Sequence, residues 1–169
     1  MIALHTAVRR LLLCLIPLIL SGCAIQLVPD YDQALVAGLD DANVAALTLF
    51  ANLEEGSPTE EFTDYKNDYA RLIGKFEALR QRANARAVPP LASKLAKKNI
   101  MPTFCRPENN PAECLNASPK SMAEIVSNLR VMRAFHKTRG LVPDAVADFR
   151  NRYDTQIDQA LTVENALKR

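Results

Sequence analysis

Between residues 62 and 83, apolar side chains recur at alternating steps of three and four: Phe62, Tyr65, Tyr69, Leu72, Phe76, Leu79 and Ala83. On an α-helix those positions line one face for three heptads, whereas a strand would divide them between its two faces. This stretch is therefore expected to be a helix with one buried side. Its start is marked by Ser57-Pro58-Thr59-Glu60, where Ser57 and Glu60 read as a capping box and Pro58 suits the first helical position. Pro89 and Pro90 end it.

The same period governs the rest of the chain. Over residues 30–55, Leu35, Leu39, Ala42, Ala46, Leu49 and Leu53 follow steps of four and three. A short amphipathic piece is expected over 91–100. A third long helix begins near Pro119, capped by Ser118, and carries Met122, Ile125, Leu129, Met132 and Phe135 before Gly140 stops it. Pro143 opens a fourth, with Val146, Phe149, Tyr153, Ile157, Ala160 or Leu161, and Leu167 on its apolar side. The links within each helix pair are short, which makes the paired helices antiparallel neighbours. The expectation is an all-α domain over residues 30–169: a four-helix bundle of two antiparallel hairpins, joined by a Pro-rich crossover over about 88–118. A more elongated pair of hairpins, strapped by the cysteine loop, is the alternative.

The amino terminus follows a different logic. Arg9 and Arg10 precede an apolar run over residues 11–20, broken by Pro17, and then Leu20-Ser21-Gly22-Cys23. Positive charge before a short apolar segment has the order of a secretory signal. The run is too short for a spanning helix, which needs about 17–25 residues. Leu20-Ser21-Gly22-Cys23 resembles the lipobox of bacterial lipoproteins, in which the cysteine thiol receives diacylglycerol and becomes the new first residue. The resemblance covers the signal region alone. It implies that residues 1–22 are cleaved, that Cys23 carries lipid with palmitate-type acyl chains, and that 23–29 form a short tether. In that family an Asp after the cysteine favours the inner membrane; Ala24 stands here, which implies an outer membrane location facing the periplasm. Two or three acyl chains anchor far better than the single chain that gives only marginal binding.

Cleavage changes the accounting. The full chain has 21 bases and 19 acids among 169 residues. Loss of Arg9 and Arg10 leaves 147 residues with equal numbers of each sign, so the basic surface expected of a nucleic-acid partner is lacking. Cys14 leaves with the signal. Cys105 and Cys114 remain, bracketing a polar stretch with two prolines, in a compartment that permits disulfides. Neither zinc spacing nor a C-x-x-C redox pair is present, so a structural disulfide is expected, with a loop closure worth about 2.5–3 kcal/mol.

Charge is segregated along the mature chain. Residues 23–68 hold ten acids and one base, net −9; residues 69–106 hold nine bases and one acid, net +8; residues 107–169 have net +1. Much of this complements helix dipoles. Glu54 and Glu55 do not, because they sit at a helix C-terminus, and with Glu60 and Glu61 they make a turn of four acids. Residues 24–29 span at most about 20 Å when extended, which holds the domain close to the membrane. The expected orientation puts Arg80, Arg82 and Arg86 toward anionic head groups and the acidic turn outward toward a protein partner.

Chemistry is sparse. His136 is the one histidine after cleavage, and a lone histidine is more often structural than catalytic. A serine or other nucleophile hydrogen-bonded to it would argue for an enzyme. No G-x-S-x-G or P-loop pattern occurs, and one histidine is too few for a di-iron bundle. No cofactor, metal or catalytic residue is assigned. The expected function is binding, as an accessory or scaffold subunit of a cell-envelope complex. Sequestration of an apolar or lipid-like ligand between Phe62, Tyr65, Tyr69 and Phe76 is the alternative, and a cell-wall hydrolase a distant third.

Overall fold

The computed structural model describes residues 26–98 and 115–168, and these are all-helical apart from turns. Five α-helices follow in order: α1 (Gln33–Asn52), α2 (Phe62–Asn84), α3 (Pro90–Lys97), α4 (Ser118–Arg139) and α5 (Pro143–Ala166). A 3₁₀ turn, Thr59–Glu61, leads into α2. The signal segment, the lipobox with Cys23, and both Cys105 and Cys114 lie outside the described residues.

The seams are where the spacing puts them. Leu35, Leu39, Ala42, Ala46, Leu49 and Leu53 are all buried. On α2, Phe62, Tyr69, Leu72, Phe76 and Ala83 are buried, with Tyr65 and Leu79 packed against them. Apolar faces of α1, α2, α4 and α5 join in one core cluster. Within it α2 packs on α4, α4 on α5, α5 on α1 and α1 on α2. Phe50 of α1 and Phe76 of α2 both meet the Tyr153 ring of α5, with centroids 5.4 and 6.2 Å away. Burying a ring of this size contributes about 1.5–3 kcal/mol, so this trio is a main fastener of the centre.

By length and composition α1 would also serve to cross a membrane. Its buried face belongs to the core, as the spacing requires of a core helix. Asp32 caps it, accepting hydrogen bonds from the backbone N–H groups of Ala34 and Leu35 at 3.0 and 3.1 Å.

The α1–α2 and α4–α5 turns meet at one end. Ser57 and Leu141 exchange both backbone hydrogen bonds, at 2.8 and 2.7 Å, which ties the α1–α2 turn to the α4–α5 turn. The approach requires glycine. Gly140 lies at φ 71°, ψ 178°, a region that residues with a side chain scarcely enter. A Cβ there would sit 3.1 Å from the Ser57 carbonyl oxygen. Gly140→Ala is expected to cost about 1–3 kcal/mol, read as a fall in the urea midpoint with an unchanged slope.

At the opposite end a second, smaller cluster forms from Ala92 and Ala96 of α3 and from Leu115, with Leu27 and Val88 packed on it. Leu27 therefore belongs to the folded body and not to a free tether. Pro29 is buried as well.

Candidate functional site

The polar groups that matter are concentrated at the two ends. At the clasp end His136 is fully buried on the last turn of α4. It is on the seam, four residues beyond Met132, where Phe135 had been expected to be the buried residue; Phe135 is only partly buried. Its Nδ1 lies 3.3 Å from the Tyr69 hydroxyl and its Nε2 lies 3.2 Å from Ser57 Oγ. Ser57 Oγ in turn donates to Glu61 Oε2 at 2.8 Å.

A carboxylate only accepts, so the Ser57 proton is committed to Glu61. The Ser57 oxygen must then accept from His136 Nε2–H, leaving Nδ1 to accept from the Tyr69 hydroxyl. The proton of Ser57 points away from the imidazole, the reverse of a serine nucleophile beside its base. Ser57 is also 2% exposed and His136 0%, so a substrate has no approach to either. The aromatic rings of Phe62, Tyr65 and Tyr69 stand 5.5, 5.6 and 5.9 Å from the imidazole. Burial pushes the His136 pKa below its ordinary value, opposed by a backbone hydrogen bond to Pro58 and by the charge of Glu61. Burial likewise pushes the Tyr69 hydroxyl up.

The capping box expected of Ser57 and Glu60 is not made. Ser57 gives its side chain to Glu61 and His136, and α2 starts at Phe62 with no side-chain cap. Glu54, Glu55, Glu60 and Glu61 are all exposed, as a partner-binding turn needs, though Glu61 also accepts from Ser57. They are not alone at that end: the last turn of α4, tied to it by the Ser57–Leu141 bridge, carries Lys137 and Arg139. The tip is thus of mixed sign, with Arg139 lying over the Phe135 ring.

The other end holds the three arginines, and each is already engaged. Arg80 donates to Glu77 at 2.8 Å, a carboxylate that also binds Arg130 at 2.9 Å. Arg82 grips Asp32 through two hydrogen bonds of 2.6 and 2.9 Å, and this contact holds the Asp32 carboxyl below its usual range. Arg86 departs furthest from the membrane-facing expectation, because its side chain is turned inward and is 9% exposed. It forks onto Glu164, which is 0% exposed, at 2.8 and 2.7 Å. Asn116 accepts from the same guanidinium at 2.9 Å and donates to the Ala83 carbonyl at 2.8 Å. Ser118, expected as a cap, instead donates to Glu164.

This second cluster joins the end of α2, the start of α4 and the end of α5. Glu164 and Asn116 went unassigned in the sequence, and Arg86 and Ser118 were given other roles; the signal was available for the ion pair, because Arg86 and Glu164 continue the seams beyond Ala83 and Ala160. Free positive charge at this end is carried by α3, with Lys168 beyond the end of α5. Lys94, Lys97 and Lys98 are exposed and make no ion pair among the described residues, and Leu91 beside them is 42% exposed.

The rings nominated to line a ligand space, Phe62, Tyr65, Tyr69 and Phe76, pack on one another, on His136 and on Tyr153. Among the described residues no group of three His, Cys, Asp or Glu side chains is placed to hold a metal ion. Comparison with protein-family models, with curated proteins and with solved structures finds no match for this chain.

Proposed function

We propose that the chain is a lipoprotein, anchored through lipid on Cys23, whose helical domain works by binding as a scaffold or accessory subunit at the cell envelope. In this reading the domain is a four-helix bundle of two antiparallel hairpins, with a Cys105–Cys114 disulfide in the crossover. The location is the outer membrane, facing the periplasm.

One observation supports the orientation best. Leu27 packs beneath α3, so at most about 14 Å of extended chain separates it from Cys23. The end bearing α3, with Lys94, Lys97, Lys98 and exposed Leu91, is then held against the bilayer. These lysines take the role first expected of Arg80, Arg82 and Arg86, which are occupied by carboxylates. The clasp end, with Glu54, Glu55 and Glu60, faces away and presents the surface for a protein partner. The reading assigns no catalysis, since in the Ser57–His136 contact the serine proton is directed toward Glu61.

Cys23→Ser tests the anchor. Carried behind a signal that is cleaved without lipidation, the variant should move from the membrane fraction to the soluble periplasmic fraction, with its helical circular dichroism unchanged. A variant that stays membrane-bound would remove the lipid from the account.

A further inference from the structure

Among the described residues the outward flank of α1 is an unusually apolar surface. Its twenty residues carry charge only at Asp40 and Asp41, yet Val44 is 66% exposed and Leu47 37%. The flank borders a groove between α1 and α2, lined by Ala34, Gly38 and Asp41 on one side and by Lys75, Ala78 and Arg82 on the other. Further open hollows continue along the same seam toward both ends of the hairpin. Gly38 and Leu79 fix the register, since a Cβ on Gly38 would strike the Leu79 side chain. One turn beyond them, Asp41 and Lys75 stand at the same height on opposite rims, and neither makes an ion pair among the described residues.

Gly74 adds a shape. A Cβ at this exposed position would meet nothing within 4 Å, so the α2 rim is low and bare there, on the same outward side as the exposed Val44 of α1.

We propose that this flank is the interface for a second copy of the chain. A two-fold axis running along the groove places α1 of each copy on α2 of the other at equal height. Asp41 then faces Lys75 of the second copy, Val44 packs over the bare rim at Gly74, and symmetry repeats both contacts. An antiparallel pair centred on residues 40–41 would lay α1 on α1 and set four aspartates against one another, whereas the parallel pair sets opposite charges together. Both chains of that pair point their amino termini the same way. This suits two anchors in one membrane, but the interface itself does not depend on the anchor.

The test is the mass of the full chain, purified in detergent, by sedimentation over a concentration series. The wild type should be dimeric. Asp41→Lys alone and Lys75→Glu alone should each weaken the dimer about tenfold or more, since each reversal acts at two symmetric contacts. The two together should restore it. Gly74→Gln, which raises that rim without touching the monomer's core, should give a monomer with unchanged helical content. A wild type that is monomeric throughout would overturn the proposal, as would a dimer indifferent to all three variants. Single reversals that weaken the dimer without rescue by the double swap would overturn the parallel pairing. A monomer whose Val44→Cys is shielded from aqueous thiol reagents only in bilayers would give the flank to lipid and overturn it as well. Loss of the Cys23 anchor would leave all of these outcomes unchanged, so failure of the lipoprotein reading is separately visible.

Discussion

Glu164→Gln should destabilise the domain by about 3–5 kcal/mol, because it leaves the Arg86 guanidinium buried with no countercharge. The neutral amide keeps the shape of the carboxylate, so packing is not the cause. Glu164 is fully buried and Arg86 nearly so, and water cannot compensate for the missing charge as it does at a surface pair. A domain of this size has about 5–15 kcal/mol in total, which makes the loss a large fraction of the whole. Replacing both members, Arg86→Met with Glu164→Leu, should recover most of it, since the desolvation of two charges disappears together with their attraction. Urea denaturation of the single and double variants measures both effects. A single variant within 1 kcal/mol of the wild type, a threshold well below the ~3 kcal/mol expected of a broken buried pair, would mean that the pair is hydrated in solution.

His136 carries the second large effect. His136→Ala removes a ring packed among three aromatic side chains and strands the Tyr69 hydroxyl and the Ser57 oxygen. The combined cost is about 3–5 kcal/mol, comparable to truncating a buried aromatic residue. His136→Phe keeps the packing but loses both hydrogen bonds, and should cost about 1–3 kcal/mol.

The same residue sets a pH dependence with a definite sign. Burial depresses the His136 pKa in the folded chain below its unfolded value near 6.5. Its contribution is therefore fully present above about pH 6.5 and is lost as the pH falls through the lower, folded value. A proton on Nδ1 would also replace the acceptor that the Tyr69 hydroxyl uses, while the Glu61 charge moderates the loss. The urea midpoint should fall on acidification from pH 7 toward 5 in the wild type, and should do so less in His136→Phe. Equal slopes would place the acid sensitivity elsewhere.

These two clusters show what the sequence could and could not reveal. The seam of α1 was fully legible, because six apolar residues at steps of four and three admit one buried face. The same period ran on to Arg86, His136 and Glu164, but a charged or ring-nitrogen side chain at a seam position reads locally as the seam's edge. Their burial depends on partners 78 or 79 residues away, Glu164 for Arg86 and Ser57 for His136, and no local pattern encodes that pairing. Ser57 was misread for the same reason. Its capping box is a sound local solution, displaced because a buried imidazole nitrogen needs a partner more than an exposed helix start does. Arg80 and Arg82 lie in the last turns of α2, away from the acidic turn, where Glu77 and Asp32 engage them. The α3 lysines were part of the +8 segment and were passed over in favour of the arginines. What singles them out, the packing of Leu27 beneath their helix, is a tertiary fact.

The central claim, that the domain is held to the envelope through Cys23, is tested most directly by intact-mass and fragment analysis of the protein extracted from membranes. The account predicts a chain beginning at Cys23, lacking residues 1–22, with diacylglycerol in thioether linkage on that residue. A membrane-extracted chain that retains residues 1–22, or one that begins at Cys23 with an unmodified thiol, would contradict it.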